Sequence, residues 1–270
     1  MKRCNNCFKN FDYAENRCPH CGYSEGDAPG ELFYLAPGTL LADRYIIGKG
    51  IGCGGFGITY LAWDKKLEIT VAVKEFYPGG LVNRIPGNQE LILLSEKQRR
   101  QFDVAFARFI EEAQSMAQFS SHNAIVNVFE YFEANRTAYI VMEYLEGIDL
   151  AYYMGQNQGK CSYSDTIKIA EKLFDAVEAI HKNGIIHRDI APDNIMIKTP
   201  EQVKLFDFGA AKLADSNSEE LMVIVKPGFS PVEQYNKLEK QGPWTDVYAL
   251  GAVLYYMLTG VKPDESTKTA

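Results

Sequence analysis

The chain contains 270 residues, of which 46% are hydrophobic, and carries a formal net charge of −7 at pH 7. This length accommodates one large domain and a small one, and the apolar fraction is high enough to build a buried core. The acidic balance argues against nucleic acid as the main partner and leaves protein partners open.

The sequence shows no sign of secretion or of a membrane segment. Its first residues lack the basic and apolar pattern of a secretory leader. The most apolar late stretch, residues 247–258, is too short to cross a bilayer and predicts a buried helix instead. We therefore expect a cytoplasmic protein with no membrane segment in the given chain.

Four of the six cysteines lie within the first 21 residues, in two CxxC pairs formed by Cys4, Cys7, Cys18 and Cys21. In a chain without a leader, clustered cysteines favour a metal site over disulfides. Two CxxC pairs supply the four thiolates of a tetrahedral zinc site. Residues 1–23 therefore resemble a zinc ribbon, and a redox-active pair or an iron site is the alternative.

A closed shell of four sulfurs leaves no open position for chemistry, so the predicted zinc is structural. His20, inside the second pair, is expected to be an exposed loop residue because the shell is already full. The charges of this region nearly cancel once four thiolates and one zinc ion are counted, which favours a protein as its partner. We expect the metal to be needed for the fold of residues 1–23 but not for chemistry elsewhere, so that removal of residues 1–30 is tolerated.

Residues 24–38 are rich in glycine, proline and acidic side chains and predict a linker. From Thr39 onward the pattern is that of one continuous globular domain. Residues 44–64, RYIIGKGIGCGGFGITYLAWD, predict two strands joined by a glycine turn, and ITVAVKEFY at 69–77 predicts a third strand. Residues 81–95 alternate around Pro-Gly-Asn and predict a hairpin insertion.

Helical periodicity first occurs at residues 96–119, where apolar side chains recur every three to four residues. Residues 124–147 predict two strands around one turn, and a second helix ends at Gly184. Short strands are predicted at 194–198 and 203–208. Strands thus precede helices, which predicts an α+β fold with a β-rich lobe followed by a helical lobe.

The glycine turn has the pattern Gly52-x-Gly54-x-x-Gly57 between two predicted strands. In that context the pattern is typical of a flap whose bare amides cover nucleotide phosphates, although glycines also serve simple turns. Lys74 lies in an apolar strand, where an unpaired ammonium is costly. It needs anions, and we predict a phosphate and the carboxylate of Glu112, which lies on the apolar face of the following helix.

Two further motifs offer oxygen ligands and a base. HRDIAPDN, residues 187–194, contains Asp189 and Asn194, and DFG follows at residues 207–209. Asn194 and Asp207 are the hard oxygen donors that magnesium prefers, and Asp189 can accept a proton from an attacking hydroxyl. Alone, the DFG stretch would indicate only a turn.

Taken in order, these motifs resemble those of a eukaryotic-like (Hanks-type) bacterial serine/threonine protein kinase, over residues 39–270. The resemblance implies a bilobal protein-kinase-like fold, with an N-lobe at about 39–144 and a C-lobe at about 145–270. Family members continue with further helices, so the resemblance implies a C-lobe that is incomplete at the C-terminus, and an unusually short helical lobe is the alternative. The implied reaction transfers the γ-phosphoryl group of Mg-ATP to Ser/Thr hydroxyls of protein substrates.

The resemblance also assigns roles to individual residues. Lys74 binds the α- and β-phosphates and pairs with Glu112, Asp189 is the catalytic base, and Asn194 and Asp207 bind magnesium. The adenine contacts that it implies are Ile51, Thr59, Ala72 and Met196 as walls, Met142 as gatekeeper, and Glu143 and Leu145 as the hinge. The flap glycines are Gly52, Gly54 and Gly57. Glu233 ends the activation segment, and Asp246 anchors the catalytic-loop backbone.

The motif set departs from the family pattern at two positions. Ala191 occupies the place of a lysine that neutralises the transferring phosphoryl group, and Val232 alters the end of the activation segment. Seven residues before Glu233, where the family has a threonine beside that lysine, this chain has Lys226. We expect Lys226 to supply the missing charge in an active enzyme, and a solvated loop lysine is the alternative.

Two other functions remain open on the sequence. A pseudokinase would bind nucleotide and recruit partners through its zinc ribbon, and Ala191 is the evidence for it. A phosphotransferase for small molecules is the second alternative. The glycine flap and the long segment from Asp207 to Glu233 argue against the small-molecule enzyme.

Overall fold

The computed structural model describes the chain apart from a few short stretches. The described residues are 1–12, 16–55, 57–157, 159–208, 212–213, 225–236 and 239–269. The chain divides into two compact units, an N-terminal unit of Met1–Gln114 and Val128–Tyr144 and a C-terminal unit of Ser115–Asn127 and Leu145–Ala270. In the described ranges, no helix combines the length and the apolar character that a bilayer-spanning segment requires.

The N-terminal unit is built on an antiparallel sheet of six strands. The strand bounds are β3 Leu40–Leu41, β4 Tyr45–Cys53, β5 Gly57–Asp64, β6 Ile69–Phe76, β9 Val128–Ala134 and β10 Thr137–Glu143. Their order across the sheet is β3-β4-β5-β6-β10-β9. The strands predicted within residues 44–64, 69–77 and 124–147 are therefore confirmed.

The inner strands of this sheet are covered on both faces, which explains their nearly continuous apolar sequence. One face packs on helix α1, Arg99–Ala117, where the ring of Phe76 contacts Phe102, Phe106 and Phe109 with centroids 5.3–5.6 Å apart. The helix predicted at 96–119 is confirmed, with a short 3-10 turn at Glu96–Gln98 before it.

The opposite face packs on the predicted hairpin insertion, which consists of β7 Val82–Asn83 and β8 Ile92–Leu93. Arg84 of this insertion forms a fully buried ion pair with Glu75 of β6. Glu75 also accepts hydrogen bonds from Tyr60 (3.0 Å) and Tyr139 (2.9 Å). Because buried charges are tolerated only when paired and hydrogen-bonded, this network ties the insertion to the sheet.

Residues 1–38 belong to the same unit as the large sheet. Strands β1 Lys2–Arg3 and β2 Asn10–Phe11 form a small antiparallel hairpin around the first CxxC pair. Within the stretch predicted as a linker, Leu35 is buried in the core of the sheet, and its amide donates to the Tyr60 hydroxyl at 3.1 Å. The C-terminal part of residues 24–38 is thus in direct contact with the sheet.

The C-terminal unit is mainly helical. Its helices are α2 Leu150–Gln156, α3 Tyr163–Lys182, α4 Pro243–Thr259 and α5 Ser266–Thr269. Its strands are β11 Ile148–Asp149, β12 Ile185–Ile186, β13 Ile195–Thr199, β14 Gln202–Leu205 and β15 Lys212–Leu213. They pair as β11-β13-β14 and β12-β15. The helix predicted before Gly184 and the strand predicted at 194–198 are confirmed, whereas the strand predicted at 203–208 ends at Leu205.

Helix α4 differs from the buried helix predicted at residues 247–258. One face is buried through Ala249, Leu250, Val253 and Met257, and α4 packs against α3. The other face exposes large apolar side chains, namely Trp244, Val247, Tyr248, Tyr255 and Leu258. The predicted burial is therefore wrong for this face. A helix apolar on all sides suggests full burial, but the described neighbours cover only one side.

Candidate active site

The glycine turn between β4 and β5 contains glycines of two kinds. A β-carbon added at Gly54 or Gly55 would meet no described atom within 4 Å, and one at Gly52 would meet only Thr59 at 3.9 Å. A β-carbon at Gly57 would lie 2.6 Å from the carbonyl oxygen of Glu75. Gly57 thus permits the close approach of β5 and β6, whereas the glycines before it leave the backbone bare toward solvent.

Lys74 and Glu112 form an ion pair in the N-terminal unit, as the sequence predicts. The Lys74 Nζ atom lies 2.7 Å from Glu112 Oε1. Strand alternation places Lys74 on the same face of β6 as Phe76, which is the face that packs on α1. The apolar stripe of α1 brings Glu112 to this face, so packing of the helix on the sheet fixes the pair.

The predicted adenine contacts of the N-terminal unit occupy neighbouring positions in the sheet. Ala72 pairs with Met142 in the β6–β10 register, and Thr59 pairs with Lys74 in the β5–β6 register. Ile51 is exposed in β4. The register therefore groups apolar side chains beside Lys74. Of the remaining predicted contacts, Glu143 ends β10, Leu145 follows in the C-terminal unit, and Met196 lies in β13.

In the C-terminal unit, Asp246 at the start of α4 binds the backbone of the HRDIAPDN segment, residues 187–194, which the resemblance identifies as the catalytic loop. Its carboxylate accepts the amides of His187 at 2.9 Å and Arg188 at 2.7 Å, and it also contacts His181 Nε2 at 2.7 Å. Arg188 has a φ of 69°, a strained conformation for a residue other than glycine. These bonds hold that conformation, and Gln234 adds a bond to the Arg188 carbonyl at 2.7 Å.

Asp189 has the environment of a general base. Asn194 Nδ2 donates to Asp189 Oδ2 at 2.8 Å, and among the described residues the buried Oδ1 atom has no hydrogen-bond partner. Burial raises the pKa of Asp189 to about 7, opposed by the positive charge of Lys226 and reinforced by the negative charge of Asp207. A carboxylate with a free oxygen and a pKa near neutrality is suited to accept a proton.

Lys226 lies close to this carboxylate, in a tight turn. Its ammonium forms an ion pair with Asp193 and interacts electrostatically with Asp189. The turn is fixed because the Lys226 amide donates to Ser230 Oγ, and the Phe229 and Ser230 amides donate to the Lys226 carbonyl, each at 2.9 Å. Burial lowers the pKa of the Lys226 ammonium, but the neighbouring carboxylates raise it overall, so the charge is kept.

Ala191 is buried in the segment that contains Asp189 and Asp193, and it contributes no charge. Asp193 was not identified from the sequence as the partner of Lys226. The two residues are 33 positions apart, and nothing in the motif indicates that they pair. The ion pair holds the Lys226 ammonium beside residues 187–194, with its side chain 31% exposed. The predicted role of Lys226 in charge stabilisation stays a prediction.

Asp207 and Phe208 follow β14. Asp207 has a φ of 63°, and the Phe208 ring packs on Phe119 and His187 with centroids 5.9 and 4.6 Å apart. His187 is fully buried, which lowers its pKa and suits the structural role expected for it. Gly209, the third residue of the DFG motif, lies outside the described residues.

Glu233 has a polar partner within the C-terminal unit. It accepts the Thr245 hydroxyl at 2.9 Å, and its carbonyl accepts Gln241 Nε2 at 3.3 Å. The same Gln241 side chain accepts Arg188 Nε at 2.5 Å. Gln241 therefore links Glu233 to the catalytic loop. Sequence reasoning missed this residue, since a single glutamine in a loop carries no motif.

The cysteine pairs come together in the N-terminal unit. The Sγ atoms of Cys4, Cys7, Cys18 and Cys21 all lie within 4.8 Å of one another, and Cys4–Cys21 and Cys7–Cys18 are 3.6 and 3.7 Å apart. Sulfurs bonded to one tetrahedral zinc at 2.3 Å lie about 3.8 Å apart. The Asn6 amide points at Cys4 Sγ at 3.4 Å. This donor set fits a thiolate-bound metal ion, and exposed His20 is not part of it.

The two remaining cysteines differ in environment. Cys53 is exposed at the end of β4 beside the bare glycines. Cys161 is buried before α3, where its Sγ atom contacts Met154 Sδ at 3.4 Å. Burial raises the pKa of the Cys161 thiol to about 11, so this thiol is unreactive at neutral pH.

Known proteins resemble this chain over most of its length. A family model described as protein kinase domain matches residues 45–270. A probable serine/threonine-protein kinase of Clostridium perfringens is 34% identical over 230 residues, which are 84% of this chain and 30% of that protein. Serine/threonine-protein kinase PknB of Mycobacterium tuberculosis is 36% identical over 232 residues, which are 83% of this chain and 33% of that protein.

A solved structure shows the same similarity. PpkA-294 in its apo form matches with a TM-score of 0.76 at 36% sequence identity, covering 87% of this chain and 82% of that chain. This chain spans about a third of the length of the curated relatives that it matches. The family match starts at residue 45, so the cysteine region precedes the matched residues.

Proposed function

Because the chain belongs to the protein kinase domain family, we propose that it is an ATP-dependent serine/threonine protein kinase. The observation that carries the proposal is Asp189. Its carboxylate is buried, has one oxygen without a partner among the described residues, and has a pKa raised to about 7. Burial beside other charged groups, with a pKa near neutrality, is typical of a carboxylate that acts as a general base.

In the N-terminal unit, Lys74 is assigned to the α- and β-phosphates of ATP. Glu112 holds its ammonium in place, and no side chain at Gly52 or Gly54 shields the flap backbone from phosphate oxygens. Gly57 supports the flap by letting β5 approach β6. The proposed adenine contacts keep the assignments made above, namely Ile51, Thr59, Ala72, Met142, Glu143, Leu145 and Met196.

In the C-terminal unit, Asn194 and Asp207 are assigned to Mg²⁺. The charges of Asp189, Asp193 and Asp207 repel one another there, and hard oxygen donors of this kind fit a divalent cation. When bound, the ion neutralises phosphate charge. The Asn194 side chain also donates to Asp189, so one residue orients the base and supplies a metal ligand.

The reaction follows from these assignments. Asp189 accepts the proton of a serine or threonine hydroxyl as its oxygen attacks the γ-phosphorus, and the bond to the ADP oxygen breaks. Lys226 stabilises the negative charge of the transferring group, in place of the lysine missing at position 191. With every position of this set filled, the geometry offers no support for a pseudokinase.

We further propose that the four cysteines bind a structural zinc ion. The set is closed and all-sulfur, which fits the four-cysteine shell of a structural zinc site. Since reduced cysteines and ATP are both features of the cytoplasm, we place the protein there. Protein substrates are its proposed partners, and the ribbon is a candidate contact for another protein.

Transfer of labelled phosphate from ATP to a generic protein substrate tests the proposal. The intact chain is expected to transfer label, and Asp189→Asn, which keeps the size of the side chain, is expected to bind Mg-ATP without transfer. Nucleotide binding by both proteins with no transfer by either would identify a pseudokinase. Equal transfer by both would remove Asp189 from the mechanism.

A further inference from the structure

The first cysteine pair lies directly on strand β4. The Asn6 carbonyl, between Cys4 and Cys7, accepts the Lys49 amide at 3.0 Å. A β-carbon added at Gly48 would lie 2.6 Å from the Asn6 carbonyl oxygen and 2.8 Å from the Phe8 ring. The contact therefore depends on a glycine in β4, four residues before Gly52 of the flap.

The residues after the two CxxC pairs show that this contact has a cost. Phe8 and Gly22 follow the pairs at equivalent positions, and their amides donate to the Cys4 and Cys18 carbonyls at 2.9 and 2.8 Å. Both are left-handed, with φ of 59° and 75°. Glycine adopts this conformation freely, but a phenylalanine there is strained because its β-carbon crowds the backbone.

Docking of its ring offsets the strain of Phe8. The ring is buried, lies against Gly48, and is 6.2 Å from the Trp63 ring of β5. The Arg3 guanidinium is 3.6 Å from the centroid of the same Trp63 ring, within cation–π range. A metal-binding turn needs only the glycine found at position 22, so the phenylalanine at position 8 serves the contact with the sheet.

The part of β4 that contacts the ribbon, Gly48 and Lys49, is also the part where β4 pairs irregularly with β5. The β4–β5 register shifts between Ile47 and Gly50 and again between Gly50 and Gly52. The Lys49 amide bonds to Asn6 instead of β5. The Tyr34 ring occupies the space where a Gly50 side chain would lie, with an added β-carbon only 2.4 Å from it. Residues that precede the family match thus define the path of β4 into the flap.

We propose that the metal-bound ribbon is a positioning element for the glycine flap. Phe8 and the Asn6 carbonyl hold Gly48 and Lys49, and this fixes the start of the bare backbone at Gly52. The link to nucleotide affinity rests on the proposed kinase function, whereas the link to the order of β4 does not. The proposal departs from the sequence-based expectation that residues 1–30 are dispensable for chemistry.

Phe8→Gly in the intact chain is the sharpest test. Glycine suits the left-handed conformation, so the four cysteines should keep one zinc per chain, measured by metal analysis. Loss of the ring should undock the ribbon. The Lys49 amide should then exchange with solvent about tenfold faster, and the affinity for Mg-ADP should fall about tenfold. Removal of zinc from the wild-type chain with a chelator should accelerate Lys49 exchange in the same way.

Two further variants keep the result interpretable. Gly48→Ala introduces a clash with Asn6 from the sheet side, so its effects should not add to those of Phe8→Gly. Phe11→Ala changes an aromatic residue that contacts Lys2 within the ribbon, and it should leave Lys49 exchange and Mg-ADP affinity unchanged.

Wild-type Lys49 exchange in zinc-loaded Phe8→Gly would overturn the proposal. Faster Lys49 exchange without weaker Mg-ADP binding would show that the ribbon orders β4 but does not position the flap, which would also overturn the proposal. A wild-type chain that binds no nucleotide would refute the kinase assignment instead, while Lys49 exchange still decides the positioning role.

Discussion

Two lysines are assigned to phosphate charge in this protein, and they are held in opposite ways. Lys74 is on a strand, its side chain is 14% exposed, and its partner Glu112 on a helix is 6% exposed. Lys226 is in a turn, its side chain is 31% exposed, and its partner Asp193 is 55% exposed. Packing of helix α1 on the sheet fixes the Lys74–Glu112 pair. The Lys226–Asp193 pair depends instead on a few hydrogen bonds that fix the turn at residues 226–230. Fold and function are therefore coupled at Lys74 and separable at Lys226.

Removal of Lys74 should have the largest effect, on both stability and rate. Lys74→Ala breaks the buried ion pair with Glu112, and removal of one member of such a pair typically costs about 3–5 kcal/mol in unfolding free energy. Phosphoryl transfer should fall by several decades, as it should for Asp189→Ala and Asp207→Ala. Chemical denaturation and single-turnover transfer measure the two effects.

The losses of these three variants should be strongly non-additive, because the groups act as a unit. Asp207→Ala should also weaken Mg-nucleotide binding, whereas Asp189→Ala should hardly change it. Equal nucleotide affinity in Asp207→Ala and the wild type would contradict the metal role of Asp207. A Lys74→Ala protein as stable as the wild type would contradict the claim that the Lys74–Glu112 pair stabilises the fold.

Removal of Lys226 should affect rate alone. Lys226→Ala is expected to lower transfer by roughly two to three decades with little change in ATP affinity. Exposed ion pairs contribute only about 0.2–1 kcal/mol, so the melting temperature should change little. The double variant Ala191→Lys with Lys226→Thr should recover part of the rate. Transfer by Lys226→Ala as fast as the wild type would exclude Lys226 from the mechanism.

The same contrast between packed and open positions is expected at two flap glycines. Gly57→Ala forces a β-carbon to 2.6 Å from the Glu75 carbonyl and should destabilise the fold by about 1–3 kcal/mol, like other overpacked sites. Gly54→Ala meets open space and should leave the melting temperature unchanged while weakening nucleotide binding. Parallel melting and binding curves test this, and equal destabilisation by both variants would contradict it.

The smallest effect is expected in the pH dependence. The raised pKa of Asp189 means that kcat/KM should fall as the pH drops through about 7. Because the positive charge of Lys226 lowers this pKa, Lys226→Ala should move the acid limb to higher pH. An acid limb that stays in place would show that the two charges do not interact. The folded state also binds the Asp189 proton more tightly than the unfolded state, so this group reduces stability as the pH rises from about 4 to about 7.

Much of the fold could be predicted from the sequence, because it depends on local patterns. Apolar runs around a glycine turn predict β4, β5 and β6, alternation predicts the hairpin insertion, and helical spacing predicts α1 and α3. The Lys74–Glu112 pair follows from the same rules, since each side chain lies on a known face of a regular element. Asp246 could be assigned only through the family resemblance, because its partners are backbone amides far away in the sequence.

The contacts made by loops could not be predicted in this way. Asp193, Gln234 and Gln241 hold Lys226 and Arg188 without any motif. The docking of the ribbon depends on Gly48, which the sequence does not distinguish from the flap glycines a few residues later. The composition of residues 24–38 hides the buried Leu35. In each case the deciding factor is the shape of a distant surface, which composition and periodicity do not encode.

The exposed thiol of Cys53 gives the flap a natural attachment point for a spectroscopic probe. Cys161 is buried and protonated, and in the proposed zinc-bound form the ion occupies the other four thiols. A maleimide fluorophore should therefore modify the zinc-loaded wild-type chain at a single position, without cysteine substitutions. Its emission would report the environment at the end of β4 directly, so the motion of the flap on nucleotide or metal addition could be followed in real time.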